Sequence, residues 1–447
     1  MSLPDPAVLS AFAARALEAA KRAGATQAET SVSNSRALTV NVRKGEVESV
    51  EFQKDRDLTL TVYFGHRMGS ASTADLSDAG IAATVAAACD IARAAGEDRC
   101  QGLADASRMA KPPAAAFVDA LSLVHPWALT PEAAADLACA AEAAALAADP
   151  RVTQSEGAAV ETRGGATIYA NSHGFTGLRS STDHSLSCAV IAKAGDKMQN
   201  GHYYSNARAR ADLLAPEIVG AEAGRRAAAR LGARPMSTRT APVLLMPEVA
   251  RGLIGHFLSA ISGGALYRKS SFLLDKVGTA VFAPHIHIDQ RPFLAGAPAS
   301  GWFDGEGVAV QERTLIDAGQ LTGYLLGSYA ARRLGLESTG NAGGAFNVVI
   351  EPGADDHAAL RRSMHTGLVV TGLMGQGANL VTGDYSRGAE GFWVENGEIV
   401  HPVEEVTIAG NLGEMFRSLV AVGSDIDTRG MVRCGSLLLA PMTIAGS

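Results

Sequence analysis

Leu38-Thr39-Val40-Asn41-Val42, the turn pair Lys44-Gly45 and the returning Val50 and Phe52 alternate apolar with polar residues. That period of 2 belongs to a half-buried strand and its hairpin partner. Leu58, Leu60, Val62 and Phe64 extend the pattern as a third strand. Upstream the period is 3.6: Asp5-Pro6 is a helix-start signal, Leu9, Phe12 and Ala16 share a face, and Gly24 is the stop. Downstream, Ser77–Ala95 and Pro131–Ala148 read as Ala-rich helices able to cover a sheet, the second opened by Thr130-Pro131. A further strand-rich stretch, Arg151–Ala207, is punctuated by Gly164-Gly165, Asn171-Ser172-His173-Gly174 and Gly195-Asp196, which predicts an antiparallel meander. Asp212–Leu231 reads as a helix and Gly232–Thr240 as a connector. Beyond it a strand (Val243–Met246), a helix from Pro247 to about Ser262 and many short glycine-separated β segments follow. The expected class is α+β with two domains, residues 1–233 and a strand-rich antiparallel 234–447.

Composition narrows the function classes. The 447 residues are 47% hydrophobic and 19% charged, ordinary globular values, and 48 glycines with only 5% aromatics point to small-residue packing. A formal charge of −7 offers no positive field for phosphate backbones, so no direct nucleic-acid binding is expected. Five scattered cysteines without C-x-x-C spacing read as reduced thiols. Met1–Leu17 carries Asp5 and two prolines in place of a basic, then apolar, leader. The apolar stretch Ala133–Ala148 is broken by Asp136 and Glu142, so no membrane association is expected and the location read from the sequence is cytoplasmic.

Most catalytic signatures are absent. The sequence has no G-x-x-x-x-G-K-[ST] phosphate loop and no G-x-S-x-G elbow, and none of its 11 histidines precedes a glutamate. Gly372-Leu373-Met374-Gly375-Gln376-Gly377 lacks the third glycine of a dinucleotide loop and reads as a tight turn. His285-Ile286-His287-Ile288-Asp289 would put three metal-ligating types on one strand face, although a solvent-facing strand shows the same alternation. Phe303-Asp304-Gly305-Glu306-Gly307 sets two carboxylates in a glycine-flanked turn, which serves turn chemistry as readily as acid–base work. In Ser338-Thr339-Gly340-Asn341-Ala342-Gly343-Gly344, three glycines around Asn341 let backbone amides approach a ligand, or simply build a loop.

The order of motifs says more than any one of them. Asn171-Ser172-x-Gly174, Pro247…Gly255-His256, Ser262-Gly263…Leu266-Tyr267-Arg268…Ser271-Phe272-Leu273, Phe303–Gly307, Gly319-x-Leu321…Tyr324-Leu325, Ser338–Gly344 and the end Gly435-Ser436-Leu437-Leu438-Leu439-Ala440-Pro441 resemble the TldD/TldE (PmbA) family. The resemblance spans nearly the whole chain and is similar to the TldE (PmbA) branch in particular.

It implies a cytoplasmic zinc peptidase built as a TldD–TldE heterodimer that admits unfolded or extended peptides; an older name is modulator of DNA gyrase. In the TldD branch a helix carries H-E-x-x-x-H, two histidines hold zinc, the glutamate activates water, and a C-terminal cysteine is a further ligand. Here that helix reads Arg251-Gly252-Leu253-Ile254-Gly255-His256, and Cys434 falls near the cysteine's place. A guanidinium cannot ligate zinc and glycine offers no base. The expectation is therefore no catalytic residue, metal or cofactor in this chain: it forms the chamber and binds peptide, with zinc in a TldD-like partner. Alone, it would pair with itself as a homodimer. The candidate substrate-binding residues are Arg268, Asp304, Glu306, Ser338, Thr339, Gly340, Asn341, Gly343 and Gly344. Two alternatives stay open: an autonomous metal-dependent hydrolase using His285, His287 and Asp289, and a non-enzymatic regulator of DNA gyrase.

Overall fold

The structure, a computed structural model, describes residue 3 and residues 5–446. Met1, Ser2, Pro4 and Ser447, including one of the two N-terminal prolines and both outer domain limits, lie outside the described residues.

Helix α1 (Pro6–Arg22) starts as its capping signal requires: the Asp5 carboxylate accepts the Ala7 N–H at 2.9 Å and Pro6 occupies the first turn. Its Leu9, Ala13, Ala16 and Ala20 are buried against the sheet. Strands β1 (Gln27–Arg43) and β2 (Glu46–Phe64) then form a hairpin. Lys44 (φ 57°) and Gly45 (φ 76°) both sit in the left-handed region that a two-residue hairpin turn demands. The sequence reading split Val50–Phe52 from Leu58–Phe64, but they belong to one strand of 19 residues, because β1 pairs with them in unbroken register from Val40 back to Gln27 and neither glycine nor proline interrupts the stretch. The third strand is instead β3 (Arg67–Thr73), whose small polar residues carry no alternation.

Helices α2 (Asp78–Ala94), α3 (Ala115–Ala120) and α4 (Pro131–Ala147) follow, α2 and α4 capped by the Ser77 and Thr130 hydroxyls. Strands β4 (Val152–Asn171), β5 (Thr176–Ala194) and β6 (Lys197–Ala207) complete a six-stranded antiparallel sheet ordered β3-β2-β1-β4-β5-β6. The turns at Asn171–Gly174 and Gly195-Asp196 fall where read. Gly164-Gly165 does not turn: it lies inside β4, paired to Arg36 and Ser35 on one side and to Thr182 and Ser181 on the other. A backbone bonded on both edges has no freedom to reverse.

Helix α5 (Pro216–Ala229) begins four residues later than Asp212, which belongs to a short 3-10 turn. It packs on α4 at close range, since a Cβ on Gly220 would stand 1.9 Å from the Ala141 carbonyl oxygen. Leu38, Val40, Val42, Val160 and Val190 lie beneath this pair, while Val32, Leu60 and Ile168 lie beneath α1 and α2. These residues share one face of the sheet. Its other face is polar and bears Ser33, Ser35, Glu161, Arg163, Arg179 and Asp183.

The remaining chain builds the largest apolar cluster. Strand β7 (Arg239–Leu245) leads into α6 (Pro247–Ala260) and the short α7 (Gly263–Tyr267). Strands β8 (Ile288–Gln290), β9 (Arg313–Asp317), β10 (Gln320–Leu321), β11 (Val348–Ile350), β12 (Gly367–Met374), β13 (Asp384–Glu395), β14 (Glu398–Asn411), β15 (Leu419–Val422), β16 (Val432–Arg433) and β17 (Leu437–Ala445) alternate with α8 (Ser328–Leu334), α9 (His357–Met364) and α10 (Leu412–Arg417). They form a six-stranded sheet, β14-β13-β12-β7-β17-β15, and a five-stranded one, β10-β9-β8-β11-β16. The whole is α+β with mostly antiparallel pairing, β7–β12 and β11–β16 being the parallel exceptions. No helix among the described residues is long and apolar enough to cross a membrane.

Candidate functional site

A cleft of about 1380 Å³ separates the polar face of the first sheet from loops of the C-terminal half. Its floor includes Ser33, Arg163 and Arg179, and its roof Gly305 and Ala342–Phe346. The acidic turn and the glycine-rich loop, 38 residues apart in sequence, meet at that roof.

Asp304 joins them. Its carboxylate is 1% exposed and accepts the N–H groups of Glu306, Val308 and Ala342, each at 2.9 Å. The Gly305 N–H returns a bond to the Ala342 carbonyl at 2.8 Å. Burial pushes the Asp304 carboxyl up to about 6, with the Glu306 charge adding to it, although the three N–H donors favour the ionised form. Glu306 accepts the Ser328 N–H at 2.9 Å at the start of α8. The two carboxylates thus hold backbone, as a glycine-flanked turn predicts.

The glycine-rich loop divides in function. Ser338 and Thr339 hydroxyls bond the Leu326 backbone, and Asn341 is buried with bonds to Gln290 (2.7 Å), Arg313 (3.1 Å) and the Gly344 carbonyl (3.0 Å). Gly340 (φ 70°) is required where it sits, since a Cβ would lie 2.5 Å from the Ala309 carbonyl oxygen. Gly343 and Gly344, in contrast, are exposed on the cleft with positive φ and open space around them. Among the described residues, the Gly343 N–H donates to no protein acceptor. Of the loop's candidate residues, these two line the cleft and can meet an extended ligand.

Arg268 stands apart from this group. It is exposed, its guanidinium bonds the Tyr267 hydroxyl at 3.1 Å, and it lines no part of the cleft. The aromatic seam between sheet and roof was not singled out from the sequence. Tyr169, Phe175, Trp302 and Phe303 pack together, with the Arg179 guanidinium 4.2 Å from the Phe303 ring centre. The signal was the aromatic pair Trp302-Phe303 beside the acidic turn, in a chain with few aromatics.

The three residues of the possible metal strand are not gathered. His285 lies in a turn before β8, His287 faces Asp317 at 3.2 Å, and Asp289 accepts from Thr314 and Arg291. Only residues 288–290 are strand, because Pro284 opens a turn where the alternation suggested β structure. Among the described residues no group of three or more His, Cys, Asp or Glu side chains is placed to hold a metal ion.

Helix α6 carries an ion network. Arg251 donates to the Tyr204 hydroxyl at 2.9 Å and to Asp427 at 3.4 Å. Arg429 bridges Asp427 (2.9 Å) and Glu248 (2.5 Å), and Arg226 of α5 donates to both Glu248 oxygens at 2.8 and 2.9 Å. Tyr203 and Tyr204 of β6 supply ring faces to these guanidiniums. Burial opposes ionisation of Glu248, but Arg226 and Arg429 outweigh it and hold the carboxyl at about 2. Gly252 faces open space. His256 packs edge-on against Tyr385, and burial with the Arg387 charge holds its pKa below the usual range. Cys434 is fully buried, 4.0 Å from the Pro247 carbonyl oxygen, its thiol pushed up to about 12 by burial and by Asp427.

The chain matches PmbA/TldA metallopeptidase domain 1 over residues 28–92, the central domain over 124–231 and the C-terminal domain over 238–446. It is 49% identical to Metalloprotease PmbA of Escherichia coli O157:H7, covering 94% of this chain and 92% of that protein. The Metalloprotease PmbA homolog of Haemophilus influenzae is 45% identical, covering 97% and 95%. Among solved structures, a proposed modulator of DNA gyrase from Bacteroides thetaiotaomicron superposes with a TM-score of 0.91 at 27% identity, covering 98% of this chain and 99% of that one. TldE from Thermococcus kodakarensis gives 0.84 over 97% and 100%; at 20% identity it speaks to the fold.

Proposed function

This chain belongs to the PmbA/TldD metallopeptidase family, and from that premise we propose that it is the TldE/PmbA-type subunit of a cytoplasmic TldD–TldE zinc peptidase. It shapes the chamber and holds an unfolded or extended peptide, while a TldD-like subunit supplies the zinc. The observation that carries the reading is the side chain at the first ligand position: Arg251 is a cation committed to Asp427 and Tyr204. Zinc needs a lone pair there, and a guanidinium has none to give. The other residues at the family's ligand positions do not compensate. The Cys434 thiol stays protonated far above neutral pH, and His256 addresses Tyr385 on a different side of α6. These residues do not fit a zinc ion, so no step of hydrolysis is assigned to this chain.

Its own contribution is binding. An extended peptide entering the cleft meets exposed Gly343 and Gly344; the Gly343 N–H is open to main-chain pairing, which gives affinity with little sequence preference, while the N–H and carbonyl of Gly344 are bonded to Asn341. The Asp304 bonds to Ala342 and the inward bonds of Ser338, Thr339 and Asn341 keep that backbone in place before the peptide arrives. Such preorganisation lowers the entropy lost on binding. Without the TldD-like chain the protein associates with itself, and the heterodimer replaces that homodimer by mass action.

Mixing the two chains tests the reading. Cleavage of an unstructured peptide should require both, survive His256→Ala here and vanish when the glutamate of the partner's H-E-x-x-x-H is changed. Tag-free chain alone should carry no stoichiometric zinc by elemental analysis. One tightly held zinc per chain, or cleavage by this chain alone, would overturn it.

A further inference from the structure

Residues 111–120 cross one side of the cleft. The chain leaves the roof at Ala110, whose N–H donates to the Gly307 carbonyl at 2.9 Å beside the bridge between Met109 and Val308. It lands at the floor on β5, where the Thr182 N–H donates to the Leu123 carbonyl at 2.9 Å and the Thr182 hydroxyl accepts the His125 N–H at 2.8 Å. Leu121 is 3% exposed, and its carbonyl accepts the Gly296 N–H at 2.8 Å. Between these anchorages Pro112, Pro113, Val118 and Asp119 line the cleft. A segment fixed to both walls and lining the space between them spans that space as a bar.

The bar itself is held by little. Nine of its ten residues are exposed, and α3 within it buries no side chain and has no side-chain cap. Its hydrogen bonds are local, such as the Phe117 N–H to the Ala114 carbonyl at 2.9 Å. Among the described residues, no hydrogen bond or ion pair ties residues 111–120 to the rest of the chain. A helix of six residues without a cap or a buried face is not stable by itself. One ring contact fixes it: Phe117 meets Phe293 edge-on, the ring centres 5.3 Å apart. Phe293 belongs to the same loop as Gly296, which holds Leu121.

We propose that α3 is a gate on the cleft, fastened by Phe117 on Phe293 and turning about the fixed residues Ala110 and Leu121. With the ring contact made, the gate bars the side of the cleft between the acidic turn and β5. With it broken, α3 swings outward while both anchorages stay bonded, and an extended peptide reaches the floor. A contact present only in the closed state shifts the closed–open population by its own energy, so Phe117 sets the rate of entry and exit. Lids of this kind govern access without taking part in the chemistry. The proposal rests on the reading that the cleft seats the peptide.

Cysteine labelling of the full-length chain tests the gate without any substrate. Ser35 lines the floor, so in Ser35→Cys a bulky maleimide reports how often the floor is reached, read by mass spectrometry of the fragment that carries residue 35. Adding Phe117→Ala should speed this labelling roughly threefold to tenfold, the shift that loss of one aromatic pair allows. Phe293→Ala should act alike, and the two together no more than either alone, because they break one contact. The melting temperature of Phe117→Ala should be unchanged, since α3 buries no side chain. In the two-chain complex, Phe117→Ala should raise the association and dissociation rates of an unstructured fluorescent peptide together and leave its Kd unchanged. Labelling that is equal or slower with Phe117→Ala overturns the proposal, as does peptide exchange that is not accelerated. A complex that binds no peptide at all defeats the functional reading instead, and the labelling rates still decide on the gate.

Discussion

Asp304 accepts the Ala342 N–H at 2.9 Å, a bond that ties the acidic turn to the glycine-rich loop and makes one rigid roof of two segments far apart in sequence. The bond has a titration signature, because the carboxylate that makes it is buried.

Asp304 titrates near 6 in the folded chain, above the ordinary aspartate value near 3.9. The folded state therefore binds more protons than the unfolded one between those values, and stability contributed by this group falls as pH rises through that window. Urea unfolding of the unmutated protein and Asp304→Asn at pH 7 and pH 5 checks it. The stability difference between them should shift toward the unmutated protein at pH 5, by on the order of 1–3 kcal/mol. A difference that is equal at both pH values would mean that Asp304 stays ionised throughout.

Arg429 is shared by Glu248 and Asp427, whereas Arg251 is one of two cations on Asp427. Removing Arg429 leaves two carboxylates under-compensated, so Arg429→Ala should destabilise by about 3–5 kcal/mol and Arg251→Ala by about 1. Glu248, depressed to about 2, contributes stability that is present above its unfolded value near 4.3 and is lost as pH falls toward 2. The Arg429→Ala deficit should consequently shrink at pH 3. Thermal melts in which Arg251→Ala is the costlier change would contradict this ranking.

Gly340 and Gly343 both have positive φ, but only Gly340 is crowded, with the Ala309 carbonyl oxygen 2.5 Å from a built Cβ. Gly340→Ala combines backbone strain with a clash and should cost more than 3 kcal/mol, against about 1–2 for Gly343→Ala. Gly343→Val should instead weaken binding of an unstructured fluorescent peptide to the assembled complex, since it places a branched side chain in the cleft. Equal melting temperatures for Gly340→Ala and Gly343→Ala would remove the distinction between the buried and the exposed parts of the loop.

Local chemistry wrote much of the fold into the sequence. Asp5-Pro6, Ser77 and Thr130-Pro131 start helices because a cap acts within one turn, and the 38–45 alternation makes a hairpin because two positive-φ residues suffice to reverse it. The family motifs, being short and ordered, were readable too. Tertiary contacts decided the rest. Gly164-Gly165 looked like a turn until two neighbouring strands bonded it into β4, and Val50–Phe64 became one strand because its partner β1 runs on without a break. Arg251 could be read as a missing ligand, but not as a bridge from α6 to Tyr204 and Asp427, for its partners lie 47 and 176 residues away. Arg268 and Asp304 stand in one motif series yet occupy separate neighbourhoods. Spacing along a chain fixes what one turn or one strand can do; which of those pieces meet is set by burial of the apolar faces they share, and that depends on the whole molecule at once.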